Sequence, residues 1–560
     1  MVDIETLSNL IEMGESTERE FKADRGKFND SVLFEEVVAM ANSIGGVILI
    51  DVEDNGKVTG AKPRNGGPAN SMKVQAAIFN NTVPHINTRV SVINHPGGIV
   101  ITIEVDSYPE ICATASGKCL RRIIGGDGKP ATVPFYPPEQ LSRKSDLGLL
   151  DISARLLEDL RMDALDQLEF ERLRQTIARL HGEQALLALN NEELAKALKL
   201  VESKGRKLIP NLAGLLVLGR QSVLETVLPN HVVFFQVLDE HGDIKVNDRF
   251  TYPLLRTLEE IQLRFAARNN EQEIMVGMFR LPVPDYSPIG FREAITNALI
   301  HRDYSRQGSI YLQWQPDHML LTNPGGFPLG VNPENILIHE PRPRNPRLAE
   351  IMLRIGIIEQ TGRGVDRIYD GQMRFGRPVP DYSRSDADAV RLVLYGGKGS
   401  LQFAAFVFEQ DKSGQALTLD KLLVLNHLLM ERRIDSEKAG QLIQKGTRQG
   451  HFVLEELTEK GLIEAKGERR GRIYHLSAGL YAKLGNPYGY VRTRGFDSIQ
   501  QEQMILKFVD KHGTINRSQA SELCKISKDQ AYRLLRKLCD QEILVMKGKS
   551  RNTSFYERRQ

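Results

Sequence analysis

The sequence predicts a multidomain α+β protein, and three observations carry this prediction. The chain has 560 residues, and because a single hydrophobic core rarely extends beyond about 250–300 residues, several domains are expected. Two regions, 1–140 and 206–400, alternate β-branched apolar runs with helical apolar spacing. A third region, after residue 415, is mostly helical and contains one arrangement of helices and strands twice.

Residues 1–140 are predicted to form a small α+β domain. The run from Val47 to Val52 is typical of a buried strand, and Asp54-Asn-Gly56 is a hairpin-turn signal. The apolar stretches at 90–93 and 99–105 predict a further hairpin. Between residues 31 and 43 the apolar side chains recur at helical spacing. We therefore expect a helix that packs on a sheet.

Residues 141–205 are predicted to be a helical linker. Leucines between Leu149 and Leu180 recur at steps of three and four residues, with charged residues between them. Such a segment can act as an oligomerisation spacer or pack on the neighbouring domain, and the second interpretation is favoured. The α+β region at 206–400 follows, and a polar stretch at 409–415 separates it from the C-terminal part.

Residues 416–485 and 496–560 are each predicted to form a winged helix. The three helical stretches of the first copy are 419–432, 436–444 and 447–460. A Gly/Arg-rich turn and a short pair of strands follow them. The second copy repeats this order and ends in two apolar runs around a basic turn. Three helices followed by a β-hairpin is the plan of the winged helix-turn-helix, hence the prediction of tandem winged helices.

Composition indicates an ordinary soluble, cytoplasmic protein. Hydrophobic residues make up 41% of the chain and charged residues 26%. No run of about 18 apolar residues occurs, so no membrane span is expected. The N-terminus lacks the basic and apolar regions of a signal peptide, which favours a cytoplasmic location. The four cysteines include no C-x-x-C pair that would suggest zinc.

The small net charge of +3 hides an uneven distribution. From residue 415 onward there are 27 Lys and Arg against 17 Asp and Glu, a net charge of +10, so the rest of the chain carries −7. A basic C-terminal part on an acidic body is typical of proteins with a nucleic-acid partner. DNA is the expected partner, with RNA as the alternative.

Three short motifs between residues 291 and 367 predict a nucleotide pocket. Glu293 and Asn297 lie one helical turn apart, so both side chains share a helix face. A predicted hairpin then leads into Asn323-Pro-Gly-Gly326, where glycines let a ligand approach the backbone. Gly362-Arg-Gly364 precedes a predicted helix, and a glycine turn at a helix N-terminus favours a phosphate.

In this order the motifs resemble the GHKL (Bergerat) ATPase family shared by gyrase B, histidine kinases and MutL, which folds as an α/β sandwich. By that resemblance the cofactors are ATP and Mg²⁺. Glu293 would polarise the attacking water, and Asn297 would hold Mg²⁺ against the phosphates. The remaining nucleotide contacts implied are Asn323, Gly325, Gly326, Gly362, Arg363 and Gly364.

Asn323 departs from the family pattern. The family has an aspartate there, whose carboxylate accepts a hydrogen bond from the adenine amino group. An amide oxygen also accepts, but more weakly than a charged group. Two alternatives therefore follow for this site: it binds and hydrolyses ATP, or it binds ATP without hydrolysing it. A DNA-binding repressor with a degenerate, non-enzymatic pocket is one alternative function.

The run from Arg292 to Tyr304, together with 344–349 and 359–364, also resembles a bacterial subgroup described as RecG-like or as transcriptional regulators with a Schlafen-type domain. The chain has no G-x-x-x-x-G-K-[ST] P-loop, so no helicase motor is expected. Arg344 falls where such folds place a mobile lid. It would contact a phosphate or belong to a proline-rich structural turn.

The first 140 residues resemble the Schlafen AlbA_2 domain through 15–22, 40–50 and 54–60. In that family the domain binds nucleic acid, and some members cut RNA with clustered acids. The resemblance implies that Glu15, Glu20 and Asp54 could hold a divalent metal for phosphodiester cleavage. The implied nucleic-acid contacts are Lys22, Arg121 and Arg122. A binding module with these acids at its surface is the alternative.

The predicted winged helices carry basic side chains where DNA would dock. Such side chains position a protein on the phosphate backbone, and the start of a recognition helix can reach the bases. In the first copy the candidates are Arg448 and Gln449. In the second copy they are Lys528, Arg533, Arg536, Lys537, Lys547, Lys549 and Arg551.

Taken together, the sequence predicts an ATP-binding, DNA-associated regulator, either a transcriptional regulator or a defence-type effector. In the GHKL class ATP closes a lid and drives dimerisation, so the resemblance implies a homodimer or higher homo-oligomer. The alternative from a different class is a metal-dependent Schlafen-like nuclease of a phage-defence system, gated by ATP.

Overall fold

The computed structural model has the predicted α+β multidomain architecture. It describes residues 3–23, 29–60, 69–358, 363–397, 399–467, 472–484, 502, 504–506, 508–510, 513–524, 528–541, 543–547 and 555–558. Within this described part of the chain, no helix has the length and apolar character needed to cross a bilayer.

The N-terminal domain is built on a four-stranded sheet with helices on both faces. Its elements are α1 Ile4–Glu12, β1 Arg19–Lys22, α2 Asp30–Ala41, β2 Gly45–Ile50, α3 Ser71–Asn80, β3 Thr82–Val83, β4 Thr88–His95, β5 Gly98–Asp106, β6 Ala113–Thr114, β7 Leu120–Ile124 and β8 Pro130–Pro134. The sheet order is β1-β2-β5-β4, and the hairpin expected at 90–105 is β4–β5. Because side chains alternate along β2, Ile48 and Ile50 pack with α2, whereas Leu49 packs with Leu7 of α1.

The segment at 141–205 is less helical than its leucine spacing suggests. Its helices are α4 Pro137–Asp146, α5 Gln167–Arg179 and α6 Asn191–Ala197, and a hairpin of β9 Val201–Lys204 and β10 Lys207–Pro210 follows. Between α4 and α5 the chain forms short 3₁₀ turns at Ile152–Ala154 and Met162–Ala164. Asp151 caps the first by accepting from the Ser153 N–H, and Asp166 then caps the start of α5. Leu173 and Leu198 are buried in one core with the next domain, so this segment packs on its neighbour.

The central domain has a five-stranded sheet of order β12-β11-β15-β16-β17. Its elements are α7 Leu212–Leu218, α8 Gln221–Val227, β11 Val233–Leu238, β12 Ile244–Phe250, α9 Leu254–Ala266, β13 Glu271–Val276, β14 Phe279–Pro284, α10 Pro288–His301, β15 Ile310–Trp314, β16 His318–Pro324, α11 Pro346–Arg354, α12 Gly364–Met373, β17 Ala389–Tyr395 and α13 Leu401–Lys412. Helix α10 contacts α9, α12 and β16, so it lies in a helical layer on this sheet.

Two C-terminal units follow, and each contains helices before a β-hairpin. The first unit contains α14 Leu419–Glu431, α15 Ser436–Leu442, α16 Gly446–Glu459, β18 Ile463–Lys466, β19 Ile473–Leu476 and α17 Ala478–Lys483. The second contains helical residues at 504–506 and 508–510, then β20 Thr514–Asn516, α18 Arg517–Cys524, α19 Lys528–Asp540, β21 Leu544–Lys547 and β22 Phe555–Arg558. The first unit shares the core of the central domain, whereas the second has its own core.

Candidate functional site

The motifs around α10, β16 and α12 line one cavity of about 280 Å³. Helix α10 begins at Pro288, and the Ser287 hydroxyl caps it by accepting from the Gly290 N–H. One face of this helix supplies Glu293, Asn297 and His301 to the cavity. The end of β16 supplies Asn323 and Gly326, and the start of α12 supplies Arg363, Gly364 and Arg367. The structure therefore brings the three predicted motifs together.

The rest of the cavity wall divides into an apolar part and a lid. The sheet contributes the apolar residues Leu321, Val390 and Leu392 to this wall, and α12 contributes Ile368. The segment at 327–343, hereafter the lid segment, lies between β16 and α11 and also lines the cavity. An apolar surface beside a helix N-terminus suits a ligand with a flat apolar base at one end and anionic groups at the other.

Glu293 is buried and held by two guanidinium groups. Its Oε1 lies 3.1 Å from Nη1 of Arg367 and 3.4 Å from Nη2 of Arg292. Gly364 allows α12 to begin beside this carboxylate, because a Cβ at that position would lie only 3.0 Å from Oε2 of Glu293. The carboxylate is thus positioned in the cavity while its charge is balanced by two arginines.

Asn323 is buried at the end of β16 and lines the cavity. Its Oδ1 has no hydrogen-bond partner among the residues that the structure describes. A buried acceptor without a partner costs free energy, roughly 1–3 kcal/mol, unless a ligand or water supplies a donor. The residues present therefore fit the base of a purine nucleotide, whose exocyclic amino group is such a donor.

His301 lies one turn beyond Asn297 on the same face of α10. Burial lowers the pKa of His301 to about 4, and the positive charge of Arg344 adds to this shift. The ring is therefore neutral at physiological pH and offers one donor and one acceptor to the cavity.

Two of the predicted nucleotide contacts lie elsewhere. Arg344 does not line the cavity: its buried guanidinium pairs with Asp146 of α4 and donates to the Gly326 carbonyl at 2.8 Å. In this position the Arg344 guanidinium does not reach a phosphate bound in the cavity. Gly325 also lies behind the wall, with φ at +96°, and leaves room for the Arg344 side chain. Gly362 lies outside the described residues.

Arg342 and Arg367 also line the cavity, and neither was expected there from the sequence. Arg367 lies one turn into α12, three residues after Gly364, so helical spacing from the glycine turn was the signal that could have identified it. Arg342 had no such signal, because it lies in a segment without regular structure.

The N-terminal acids do not form a metal site among the described residues, which contain no group of three or more potential ligands. Glu20 is buried and pairs with Arg122, at 2.7 Å, and with Lys22. Glu15 accepts from the Phe21 N–H at 3.0 Å, and burial raises its pKa. Asp54 is exposed in its turn. The negative charges of Glu20 and Asp54 add to the rise in the pKa of Glu15, so the three carboxylates are close enough to interact electrostatically.

The predicted nucleic-acid contacts of this domain are also engaged. The Arg122 side chain is 1% exposed and also pairs with Glu36 at 3.1 Å, so it holds the domain together from inside. Lys22 pairs with Glu36 at 3.0 Å, and Arg121 pairs with Glu139 of α4. Of these three, only Arg121 and Lys22 reach the surface, each about one-quarter exposed.

The C-terminal candidates are mostly at the surface. Arg448 and Gln449 are exposed at the start of α16, and Arg533 and Arg536 are exposed on α19. Two further cations are in ion pairs: Lys537 with Glu502 at 2.6 Å and Lys547 with Glu557 at 2.5 Å. Helix α19 begins at Lys528, whose side chain is not described, and Lys549 and Arg551 lie outside the described residues.

Comparison with family models identifies two of these regions. Residues 15–130 match the family described as "Schlafen, AlbA_2". Residues 308–394, which include β15, β16 and the lid segment, match the family HATPase_c_4, described as "Putative ATP-dependent DNA helicase recG C-terminal". The chain thus contains a Schlafen AlbA_2 domain and a HATPase_c_4 domain, as expected from the sequence. Residues 141–234 match a domain of unknown function, DUF8451.

Comparison with solved structures supports the fold over the whole chain. The crystal structure of the DIP2311 protein from Corynebacterium diphtheriae aligns with a TM-score of 0.51 and 20% sequence identity, covering 99% of both chains. At this identity the likeness concerns the fold alone. No curated protein matched the chain.

Proposed function

We propose that the protein is an ATP-binding, DNA-associated regulator that is switched by nucleotide. The observation that carries this proposal is the cavity in which Glu293, Asn297 and the unpartnered Oδ1 of Asn323 meet the N-terminus of α12. The HATPase_c_4 and Schlafen AlbA_2 matches support nucleotide binding and association with nucleic acid.

In this proposal each wall of the cavity holds one part of ATP. Asn323 accepts from the adenine amino group, and the N–H groups at the start of α12 bind the phosphates. Asn297 supplies an amide oxygen to Mg²⁺, a hard ligand for a hard cation. Arg363 and Arg367 add positive charge beside the phosphates. Bound Mg²⁺ would neutralise phosphate charge.

Hydrolysis would depend on freeing Glu293 from its guanidinium partners. In the structure Arg367 lies 3.1 Å from Glu293, which leaves this carboxylate less available to a water molecule. A phosphate group is a stronger partner for Arg367 than one carboxylate, because it carries more negative charge. Binding of ATP would thus draw Arg367 away and leave Glu293 to accept a proton from the attacking water.

The C-terminal units would connect this cavity to DNA. Their part of the chain has a net charge of +10, and Arg448, Arg533 and Arg536 are exposed on helices. Exposed cations on helices that follow a helix-turn-helix order suit the phosphate backbone of DNA. We further propose that the active form is a homodimer or higher homo-oligomer in the cytoplasm, acting as a transcriptional regulator or defence effector.

The experiment that tests the proposal compares Glu293→Gln with the wild type. Calorimetry with ATP and Mg²⁺ should show binding by both proteins. Phosphate release by the variant should fall by about 10²–10⁴-fold, the usual contribution of a general base. Glu273→Gln is the matched control, because Glu273 is exposed on the β13–β14 hairpin.

Three outcomes separate the alternatives. Equal hydrolysis by Glu293→Gln would remove this residue from the role of base. Binding of ATP without hydrolysis by the wild type would leave a nucleotide-binding switch. Absence of ATP binding by the wild type would favour a DNA-binding repressor with a degenerate pocket.

A further inference from the structure

The turn between α15 and α16 is hydrogen-bonded to the lid segment of the nucleotide cavity. Gln444, in this turn, accepts from the Leu337 N–H with its Oε1 and donates from its Nε2 to the Pro333 carbonyl, both at 2.8 Å. Its amide thus makes a two-point contact with a segment more than 100 residues earlier in the chain. Val331 and Ile336 of the same segment line the cavity.

The backbone of Gln444 adapts to this contact. Its φ is +58°, in the left-handed region that residues other than glycine rarely adopt. Such a conformation persists only where surrounding contacts maintain it. The two hydrogen bonds to the lid segment are contacts of this kind, so the geometry of the turn and the position of the lid segment depend on each other.

The next residue, Lys445, interacts with α14 and with α12. Lys445 pairs with Asp420 of α14 at 2.7 Å. Its positive charge also acts on Asp366 in the first turn of α12: burial raises the pKa of Asp366, and Lys445 and Arg363 oppose this rise. Arg363 and Gly364, at the start of that helix, line the cavity. Two consecutive residues of the turn therefore interact with the lid segment and with the first turn of α12.

This turn also leads into the helix that would contact DNA. Helix α16 begins at Gly446, directly after Lys445, and Arg448 and Gln449 in its first turn are exposed. In a helix-turn-helix the second helix enters the major groove with its N-terminal residues, so the turn before it lies close to the DNA backbone. The lid segment thus contacts the edge of the first C-terminal unit that would face DNA.

We propose that Gln444 is a positioning residue that couples nucleotide binding to DNA binding, and this inference rests on the proposed function. When ATP orders the lid segment, Gln444 holds the turn against the central domain and lowers the affinity of the first C-terminal unit for DNA. When the lid segment is released, the turn is free to dock. Because the coupling is reciprocal, DNA lowers the affinity for ATP by the same factor.

The test measures DNA affinity of the full chain with and without nucleotide. A fluorescein-labelled duplex of mixed sequence is titrated, and the anisotropy is followed with Mg²⁺ alone or with Mg²⁺ and the non-hydrolysable analogue adenylyl imidodiphosphate. For the wild type we expect about tenfold weaker DNA binding with the analogue, within the usual range of coupling between sites.

The informative variant is Gln444→Gly, because glycine readily adopts the left-handed backbone conformation and lacks the side-chain amide that contacts the lid segment. It should bind DNA equally well with and without the analogue. Gln444→Glu keeps the acceptor for Leu337 but loses the donor to Pro333, so part of the coupling should remain. Gln441→Ala, an exposed glutamine on α15, should retain the full tenfold effect.

Retention of the tenfold effect by Gln444→Gly, or tighter DNA binding with the analogue in the wild type, would overturn the coupling. Calorimetry and anisotropy on the wild type separate this failure from that of the proposed function. If the wild type binds neither ATP nor DNA, the proposed function is wrong. If it binds both, with no effect of one on the other, only the role of Gln444 is wrong.

Discussion

At the scale of single residues, two histidines of the central domain are held in their neutral form. His231 lies just before β11, and its Nε2 is 3.0 Å from the Tyr252 carbonyl, which requires a proton on that nitrogen. Burial lowers its pKa to about 4, with the charge of Arg302 as the second cause. His301 has the same low value in the nucleotide cavity. Both therefore make folding of the central domain sensitive to acid.

The free energy of unfolding should fall as the pH decreases from about 6.5 to 4. In this window the unfolded chain binds protons at both histidines and the folded chain does not, so stability rises with pH and is complete above about 6.5. A shift from 6.5 to 4 corresponds to at most about 3 kcal/mol for each group. Urea unfolding followed through Trp314, the single tryptophan, measures this dependence.

His231→Gln should lower the slope of stability against pH in that window, whereas His241→Gln, in an exposed turn, should leave it unchanged. An unchanged slope in His231→Gln would show that the buried ring does not govern the acid sensitivity.

Sequence could predict some of the cavity residues because their spacing is local. Glu293 and Asn297 share a helix face because they are four residues apart, and Gly364 is the first residue of its helix. Arg344 could not be assigned in this way. Its partner Asp146 lies 198 residues earlier, and no local pattern indicates which of several arginines will be buried against it.

At the scale of elements, the end of β16 shows how a glycine can serve a neighbouring side chain. Gly325 follows Pro324 with φ at +96°. A Cβ built there would overlap the Arg344 guanidinium and lie 2.8 Å from the Cβ of Asp303. The two glycines of this motif therefore have different functions. Gly326 lines the cavity, whereas Gly325 leaves space for the side chain of Arg344, which lies behind the cavity wall.

Gly325→Ala should destabilise the central domain and weaken nucleotide binding. The left-handed backbone costs about 1–2 kcal/mol for a residue with a Cβ, and the displaced guanidinium adds to this cost. Gly277→Ala is the matched control: Gly277 also has a positive φ, +60°, but nothing lies within 4 Å of its added Cβ. Urea unfolding should therefore show a larger loss for Gly325→Ala, and equal losses would exclude the overlap as a cause.

Element boundaries were predictable where the pattern was dense and local. The hairpin of β15 and β16 lies at the positions expected from its alternating apolar residues. By contrast, the leucines at 149–166 have helical spacing but lie in short turns. The Asp151 side chain caps a short 3₁₀ turn instead, and the Asp166 side chain caps a new helix start at Gln167. Apolar spacing alone does not reveal these caps.

At the scale of the whole molecule, α4 joins the N-terminal domain to the nucleotide cavity. Arg143 donates to the Ser43 carbonyl at 3.0 Å and to the Ser107 hydroxyl at 2.8 Å, both in the N-terminal domain. Three residues later along the same helix, Asp146 pairs with Arg344 at the end of the lid segment. A movement of the lid would therefore reach the Schlafen AlbA_2 domain through one short helix.

Asp146→Ala should loosen this junction. The Arg344 side chain is 1% exposed, and loss of its ion-pair partner leaves the buried charge only partly balanced, by its interaction with Asp303. The cost should therefore be at the lower end of, or below, the roughly 3–5 kcal/mol of a fully broken buried pair. Hydrogen exchange should increase in α4 and in the lid segment. Lys144→Ala, an exposed position on the same helix, is the control and should exchange like the wild type.

The double variant Asp146→Ala/Arg344→Met distinguishes charge from packing. Without the guanidinium no buried charge is left unpaired, so much of the stability lost in Asp146→Ala should return. Slow exchange in the lid should return with it only if packing holds the lid. If the ion pair itself holds the lid, stability recovers while exchange in the lid segment stays fast. A double variant as unstable as Asp146→Ala would contradict the buried-charge explanation and would instead assign the loss to the altered surface of α4.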